Sequence, residues 1–436
     1  MIDESLELWP APLALAQLDS SFHLTGSKSI SNRALVLAAL SDSPTHVRSL
    51  LDARDTQLMI AGLQALGVEI STTGTDAAGN IDVQVTPHFM QGPAQIDVGL
   101  AGTVMRFLPP VAALARGDIY FDGDAAARKR PMATLLEALK DLGVSVEDRG
   151  RLPFLIHGTG RMLGGEVILD ASRSSQFVSA LLLSAARCES GATIRHVSAD
   201  LSRPSTVPSL PHVRMTIAML KQHGVTVHNS NDNMWHVDPQ EIQAVDVDIE
   251  GDLSNATPYF AATMVAGGTV TCRDWPADSL QPVARVCEVF SAMGATINRD
   301  GERLTFSSNG TIQGIDADLA DIGEIAPTIV ALCALADGPS VITGIGHLRG
   351  HETDRLAALA REFNALGGEI IEGPDQLTIN PRQLVGGIFH TYEDHRMATA
   401  GAIIGLRVPG ILVENIETTG KTIPNFPQRW QDFLSL

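Results

Sequence analysis

Apolar positions recur along this 436-residue chain in two alternating helical patterns. The first opens on small or polar residues and runs into an apolar stretch and a turn. It occurs six times, as SISNRALVLAALS, GTVMRFLPPVAALARG, SSQFVSALLLSAAR, SNATPYFAATMVAGG, EIAPTIVALCALADG and DHRMATAGAIIGLRVPG. With Ser29, Thr103, Ser175, Ser254, Glu324 and His395 as markers, the intervals are 74, 72, 79, 70 and 71 residues. The second pattern is a helix that stops at a glycine and hands over to alternating, strand-like residues. DTQLMIAGLQALGVEI, RPMATLLEALKDLGVSV, PHVRMTIAMLKQHGVTV, QPVARVCEVFSAMGATI and HETDRLAALAREFNALGGEI all fit, with Gly67, Gly143, Gly224, Gly294 and Gly367 spaced 76, 81, 70 and 73 apart. A glycine there is a helix C-terminal signal, and period-two alternation after it predicts a strand.

The alternation predicts six strand–helix–strand–helix units, and a repeat this long is not a common solenoid. A chain of this length exceeds one ordinary core, so two domains of three units each are expected. The third unit closes near Asp248 and the fourth opens near Glu250, which places one crossover there. The sixth copy of the second helix, NFPQRWQDFLSL, reaches the end of the given sequence before its strand forms. The N-terminal segment LELWPAPLALAQLD is free to supply that strand. Residues 1–22 plus 250–436 then form one domain, and 23–249 the other.

Composition narrows the function. Thirty-one Lys and Arg stand against fifty Asp and Glu, a formal charge of −19. Such a field repels nucleic acid and anionic membrane, so any anion site must be a local concentration of cations. Aromatic residues make up 5% of the chain, too few for a base-stacking surface. The four cysteines, Cys188, Cys272, Cys287 and Cys333, show no paired spacing, and no metal-ligand spacing occurs. A reduced, cytoplasmic protein without metal or cofactor is expected. No apolar run approaches the roughly 20 residues of a membrane span.

The helix openings carry the chemistry. An N-terminus presents unpaired N–H groups and a partial positive charge, a ready anion site. The first class of helices opens on Lys28, Ser29 and Arg33; on Gly102, Thr103 and Arg106; on Ser174, Ser175 and Gln176; on Ser254 and Asn255; on Glu324; and on Asp394, His395 and Arg396. The second class adds Arg130, Ser209, Arg349, Arg355 and Lys421. Equivalent units would turn these ends toward one interdomain cleft. Each dipole contributes roughly 0.3–1 kcal/mol, and a cation 4 Å from an anion roughly 4 kcal/mol at an effective dielectric near 20. Taken singly, a Ser at a helix start is an ordinary cap and an Arg an ordinary solvated charge; recurrence and density make the case. A nucleotide P-loop is disfavoured: TGKT at 419–422 has Asn415 where GxxxxGK[ST] needs its first glycine.

The ordered set GSKSISNRALVLAAL, LAGTVMRF, KRPMATLLEAL, SSQFVSALLLSA, HETDRL, YEDHRMA and GKTIPNF closely resembles the 5-enolpyruvylshikimate-3-phosphate synthase family across essentially the whole chain. The resemblance implies a two-domain inside-out α/β barrel of six βαβαββ repeats, three per domain, that closes around its ligands. It implies transfer of the enolpyruvyl group of phosphoenolpyruvate to the 5-hydroxyl of shikimate 3-phosphate, with release of phosphate. By motif match Lys28, Ser29, Arg33, Ser174, Ser175, Ser209, Glu324 and His351 would hold shikimate 3-phosphate. Lys28, Gly102, Arg130, Gln176, Arg355, Arg396 and Lys421 would hold phosphoenolpyruvate. Glu324, Glu352, Lys28 and His395 would handle protons. The expected partners are these two small molecules, with a monomeric protein and neither nucleic acid nor membrane involved.

The chain departs from the family at Leu100, often Asn; Phe107, often Pro; Glu324, more commonly Asp; and His351, more commonly Lys. Near Ser209 a second alignment uses Ser202-Arg203-Pro204. The nearest rival, the enolpyruvyl transferase acting on UDP-N-acetylglucosamine, carries a reactive cysteine in the loop that reads GDAAARKRP here. A non-catalytic binder of phosphorylated metabolites is the other alternative; the carboxylates Glu324 and Glu352 beside anion-binding cations argue against it.

Overall fold

The computed structural model describes residues 7–199, 207–273 and 275–435. They divide into two compact units. One comprises the residues before Gly26 together with those from Glu250 onward; the other is Gly26–Ile249. The first crossover thus falls three residues later than the sequence places it. Thr25 stays with the first unit because its carbonyl accepts from the Asp252 amide at 3.0 Å and its hydroxyl donates to the Thr422 carbonyl at 3.3 Å.

Gly26–Ile249 contains three four-stranded sheets among the described residues. The clearest runs Ala94–Asp97, Arg116–Asp122, Phe154–Thr159, Ser145–Glu147 in spatial order, with the first pair parallel and the others antiparallel. Along the chain this is strand, helix Gly102–Ala113, strand, helix Ala133–Asp141, then two strands. The sheet built on Gly165–Leu169 repeats the order. The sheet built on Thr45–Leu50 takes its parallel neighbour, Val247–Asp248, from the far end of the unit.

The other unit follows the same plan and closes it with N-terminal residues. Leu18–Phe22 runs parallel to Gly268–Cys272 and opens the fourth repeat. Leu8–Pro10 pairs antiparallel with Ile411–Glu414, which lies parallel to Gly387–Phe389, and so joins the sixth repeat's sheet, three-stranded among the described residues. Trp9 packs edge-on against Phe426, ring centroids 6.4 Å apart, holding that strand to the last helix.

The layering follows from the residue pattern. Helices Gly102–Ala113, Ala326–Ala334 and His395–Gly405 are buried at every position, as largely apolar segments with polar residues mainly at their N-terminal ends can be. Helices of the second class bury one stripe: Ala133–Asp141 hides Leu135, Leu136, Ala138 and Leu139. Strands such as Ile81–Thr86 alternate buried and half-buried residues. Helices therefore fill each unit and sheets cover it. The five predicted stop glycines have φ of 100°, 85°, 78°, 104° and 89°, conformations that side-chain-bearing residues resist. Cys188, Cys272 and Cys333 are buried, Cys287 is half-buried, and all four are free thiols. No helix among the described residues is long and apolar enough to cross a membrane.

Gly268 shows how tightly the N-terminal strand is seated. Its φ is 103°, and a Cβ there would lie 2.0 Å from the Leu18 carbonyl oxygen. Gly268→Ala is expected to cost at least about 2 kcal/mol in denaturant unfolding. Gly338→Ala, where a Cβ meets nothing within 4 Å, should change stability by no more than about 0.5 kcal/mol.

Candidate active site

In Gly26–Ile249 the first helix mouth is fixed from behind. The Gly26 amide donates to Asn80 Oδ1 at 2.8 Å, and a Cβ on Gly26 would sit 2.3 Å from the Ser49 carbonyl oxygen. Lys28 opens helix Lys28–Leu40 with its Nζ 3.5 Å from Asp55 Oδ2. Ser29 is half-buried beside it. Arg33 lies one turn deeper and is only 1% exposed. Its Nη1 donates to the Ser29 carbonyl at 2.8 Å and its Nε to Thr216 Oγ1 at 2.7 Å. Its Nη2 reaches Ser179 Oγ and the His212 carbonyl, each at 3.2 Å, and the guanidinium lies over the Phe107 ring. Burial pushes Arg33 down to about 9, still protonated at neutral pH. Its donors meet neighbouring helices and the carbonyl of Ser29.

The second helix mouth gathers cations around a glycine. A Cβ on Gly102 would lie 3.1 Å from Nη1 of both Arg106 and Arg130, so these nitrogens are no more than about 6 Å apart. Two like charges at that distance repel by roughly 3 kcal/mol at an effective dielectric near 20. Both residues are nearly buried, at 3% and 8% exposure. Arg106 Nη1 donates to the Gln176 side-chain oxygen at 2.5 Å, and Arg130 Nη1 reaches the Leu100 carbonyl at 3.5 Å. The Arg130 Nε is buried without a hydrogen-bond partner. These acceptors are neutral, so an anion at Gly102 would relieve the repulsion.

Gln176 starts helix Gln176–Ala185, after the turn that carries Ser174 and Ser175. The Ser174 hydroxyl accepts from the Gln176 amide at 3.3 Å, and Ser175 is 4% exposed. Ser209 precedes helix Leu210–Gln222 in a left-handed conformation, φ 50° and ψ 42°, unusual for a residue with a side chain. The alternative at Ser202 lies outside the described residues.

In the other unit the chemistry centres on Arg355, which has no solvent exposure. Its Nε and Nη2 grip Asp394 at 2.7 and 3.2 Å. Its Nη2 also donates to Glu352 at 3.0 Å, and its Nη1 to Glu324 at 3.3 Å and to His351 Nδ1 at 3.2 Å. Glu352 Oε1 accepts from Lys421 Nζ at 2.5 Å. Arg396 donates to the carbonyl of Ser254 at 2.9 Å and to its hydroxyl. Asp394 caps helix His395–Gly405 by accepting from the Arg396 amide at 2.8 Å. His395 is 2% exposed, its Nδ1 3.7 Å from Asp394 Oδ1.

Three cations, Arg355, Arg396 and Lys421, thus balance three carboxylates. Burial would lower the Arg355 pKa, but Asp394, Glu352 and Glu324 outweigh it and keep the guanidinium charged. Burial pushes His351 down to about 3, so the imidazole is neutral near pH 7. Burial alone would raise the Glu324 carboxyl; the neighbouring positive charges outweigh it and hold it well below the ordinary carboxylate range. With His351 neutral, Arg355 and Arg396 supply that charge at neutral pH. Glu324 is therefore ionised at neutral pH, on the 3₁₀ turn Gly323–Ile325, its side chain 30% exposed.

Arg106 and Asp394 stand out as residues whose roles the sequence left unassigned. Their signals were present: an arginine one helical turn after Gly102, and an aspartate at a helix cap. Among the described residues no group of three His, Cys, Asp or Glu could hold a metal ion.

Comparison with known proteins agrees with this chemistry. The family described as EPSP synthase (3-phosphoshikimate 1-carboxyvinyltransferase) matches residues 14–430. A 3-phosphoshikimate 1-carboxyvinyltransferase of Kocuria rhizophila is 48% identical over 435 residues, 98% of this chain and 97% of that protein. Two structures of EPSP synthase from Acinetobacter baumannii share the fold. One has a TM-score of 0.77 at 23% identity over 97% of each chain. The other scores 0.74 at 22% identity over 96% of this chain and 97% of that one. A family match spanning nearly every repeat, joined to a relative almost half identical along its whole length, makes the chain a member of the EPSP synthase family.

Proposed function

We propose that this protein transfers the enolpyruvyl group of phosphoenolpyruvate to the 5-hydroxyl of shikimate 3-phosphate and releases phosphate. The observation that carries the reading is the convergence of Arg106 and Arg130 on Gly102, a concentration of positive charge that favours a small anion. Phosphoenolpyruvate, with a phosphate and a carboxylate, suits a site lined by guanidinium groups. Arg130, Gln176 and Lys28 hold it there, with Arg355, Arg396 and Lys421 as the other cations. Shikimate 3-phosphate takes Lys28, Ser29, Arg33, Ser174, Ser175 and Ser209, with Glu324 and with His351 as a neutral hydrogen-bonding group.

The chemistry is addition followed by elimination. The 5-hydroxyl oxygen bonds to C2 of phosphoenolpyruvate and loses its proton, while the methylene carbon gains one and becomes a methyl group. The C2–O bond to phosphate then breaks, phosphate leaves, and the methyl group gives up a proton to restore the double bond. Glu324, held ionised, takes the hydroxyl proton. Glu352 serves the methyl carbon, with Lys421 beside it as its proton partner. Fixed cations stabilise the charge that develops on the departing phosphate.

The direct test is phosphate release by the purified protein with each substrate omitted in turn. Release is expected only when both are present; release from phosphoenolpyruvate alone, or none with both, would overturn the reading. Arg130→Ala should raise the KM for phosphoenolpyruvate roughly 10- to 100-fold, the loss of charge-assisted hydrogen bonds. Shikimate 3-phosphate binding, measured by calorimetry, should stay nearly unchanged; an equal loss of both would remove the assignment. Glu324→Gln should cut kcat by roughly 100-fold or more, as loss of a general base does, and still bind shikimate 3-phosphate.

A further inference from the structure

The turn before the Asp394 cap has the wrong residues for its shape. The Asp394 amide donates to the Thr391 carbonyl at 2.9 Å, and the two residues between, Tyr392 and Glu393, have φ of 56° and 57°. A turn with both central residues left-handed normally requires Asn, Asp or Gly. Tyr-Glu resists it, so the surrounding structure must impose the conformation.

Glu362 supplies the constraint. It is 2% exposed on helix Arg355–Ala365, two turns beyond Arg355 and on the same face. Its Oε1 accepts from the Tyr392 hydroxyl, and its Oε2 accepts from the His390 amide at 2.9 Å. The same helix therefore holds the loop twice: Glu362 grips its beginning and middle, and Arg355 grips Asp394 at its end. The catalytic groups alone do not require the first grip.

We propose that Glu362 and Tyr392 are positioning residues, which force the left-handed turn and thereby set Asp394 and Arg396 for phosphoenolpyruvate. The proposal rests on the reading that Arg396 and the Arg355–Asp394 pair serve that substrate. Without the tether the turn relaxes toward right-handed backbone, and Asp394 leaves the line that fixes Arg355 and the Arg396 amide. A misplacement of about 1 Å at such a site costs up to roughly 100-fold in rate.

The test uses Tyr392→Phe alone and combined with Glu393→Asn. Asn accepts left-handed backbone, and Glu393 is exposed, so the second change touches the turn and not the site. Tyr392→Phe should raise the KM for phosphoenolpyruvate roughly tenfold or more, with the dissociation constant for shikimate 3-phosphate and the melting temperature nearly unchanged. Tyr392→Phe/Glu393→Asn should recover most of that loss, which a purely packing role would not. Wild-type turnover with an unaffected Tyr392→Phe, or a loss that Glu393→Asn does not repair, would overturn the tether and leave the reading of the enzyme intact. A wild-type protein that fails to turn over the two substrates would overturn both.

Discussion

Burial makes a guanidinium costly to keep charged, and Arg355 has no access to water. Carboxylates offset that cost, and here they come from three places: Asp394 at a helix cap, Glu352 just before its own helix, and Glu324 on a 3₁₀ turn. Through them Arg355 joins the mouths of helices Ala326–Ala334 and His395–Gly405. Removing one partner from a buried pair costs about 3–5 kcal/mol, yet such a pair adds little net stability over apolar packing. Its consequence is geometric. The arginine holds three acids and, through Glu352, a lysine in one arrangement.

The two units solve different electrostatic problems with the same repeat. Around Arg355 the charges balance, so acids survive among cations, and one of them, Glu324, is kept ionised. Around Gly102 two arginines converge on a residue with no side chain, a concentration of positive charge that suits the proposed binding of an anion. A chain with a formal charge of −19 can bind dianions because such fields are local: beyond a Debye length of roughly 8 Å, salt screens the rest.

Much of the fold was legible because each repeat carries its own punctuation. The stop glycines at 67, 143, 224, 294 and 367 mark helix ends where only positive φ fits, and the even spacing exposed a sixth repeat lacking a strand, which Leu8–Pro10 provides. The residue types at the helix mouths were legible too, since anion chemistry confines them to a few side chains. Partner choice was not. Nothing local foretells the hydrogen bonds of Arg33 to Thr216 and Ser179, or the approach of Arg130 to Gly102. Nor could propensity reveal the left-handed pair Tyr392 and Glu393, because tertiary contacts impose what their side chains resist.

In the proposed reaction, protons move to and from the methylene carbon of phosphoenolpyruvate while phosphate leaves. Running the reaction in heavy water and examining the product by mass spectrometry and NMR tests it directly. Deuterium in the product's methylene group is the predicted result, because the methyl intermediate gains a solvent proton before losing one. Product formed with an unlabelled methylene would mean that the C–O bond breaks without the methyl intermediate, and would contradict the account.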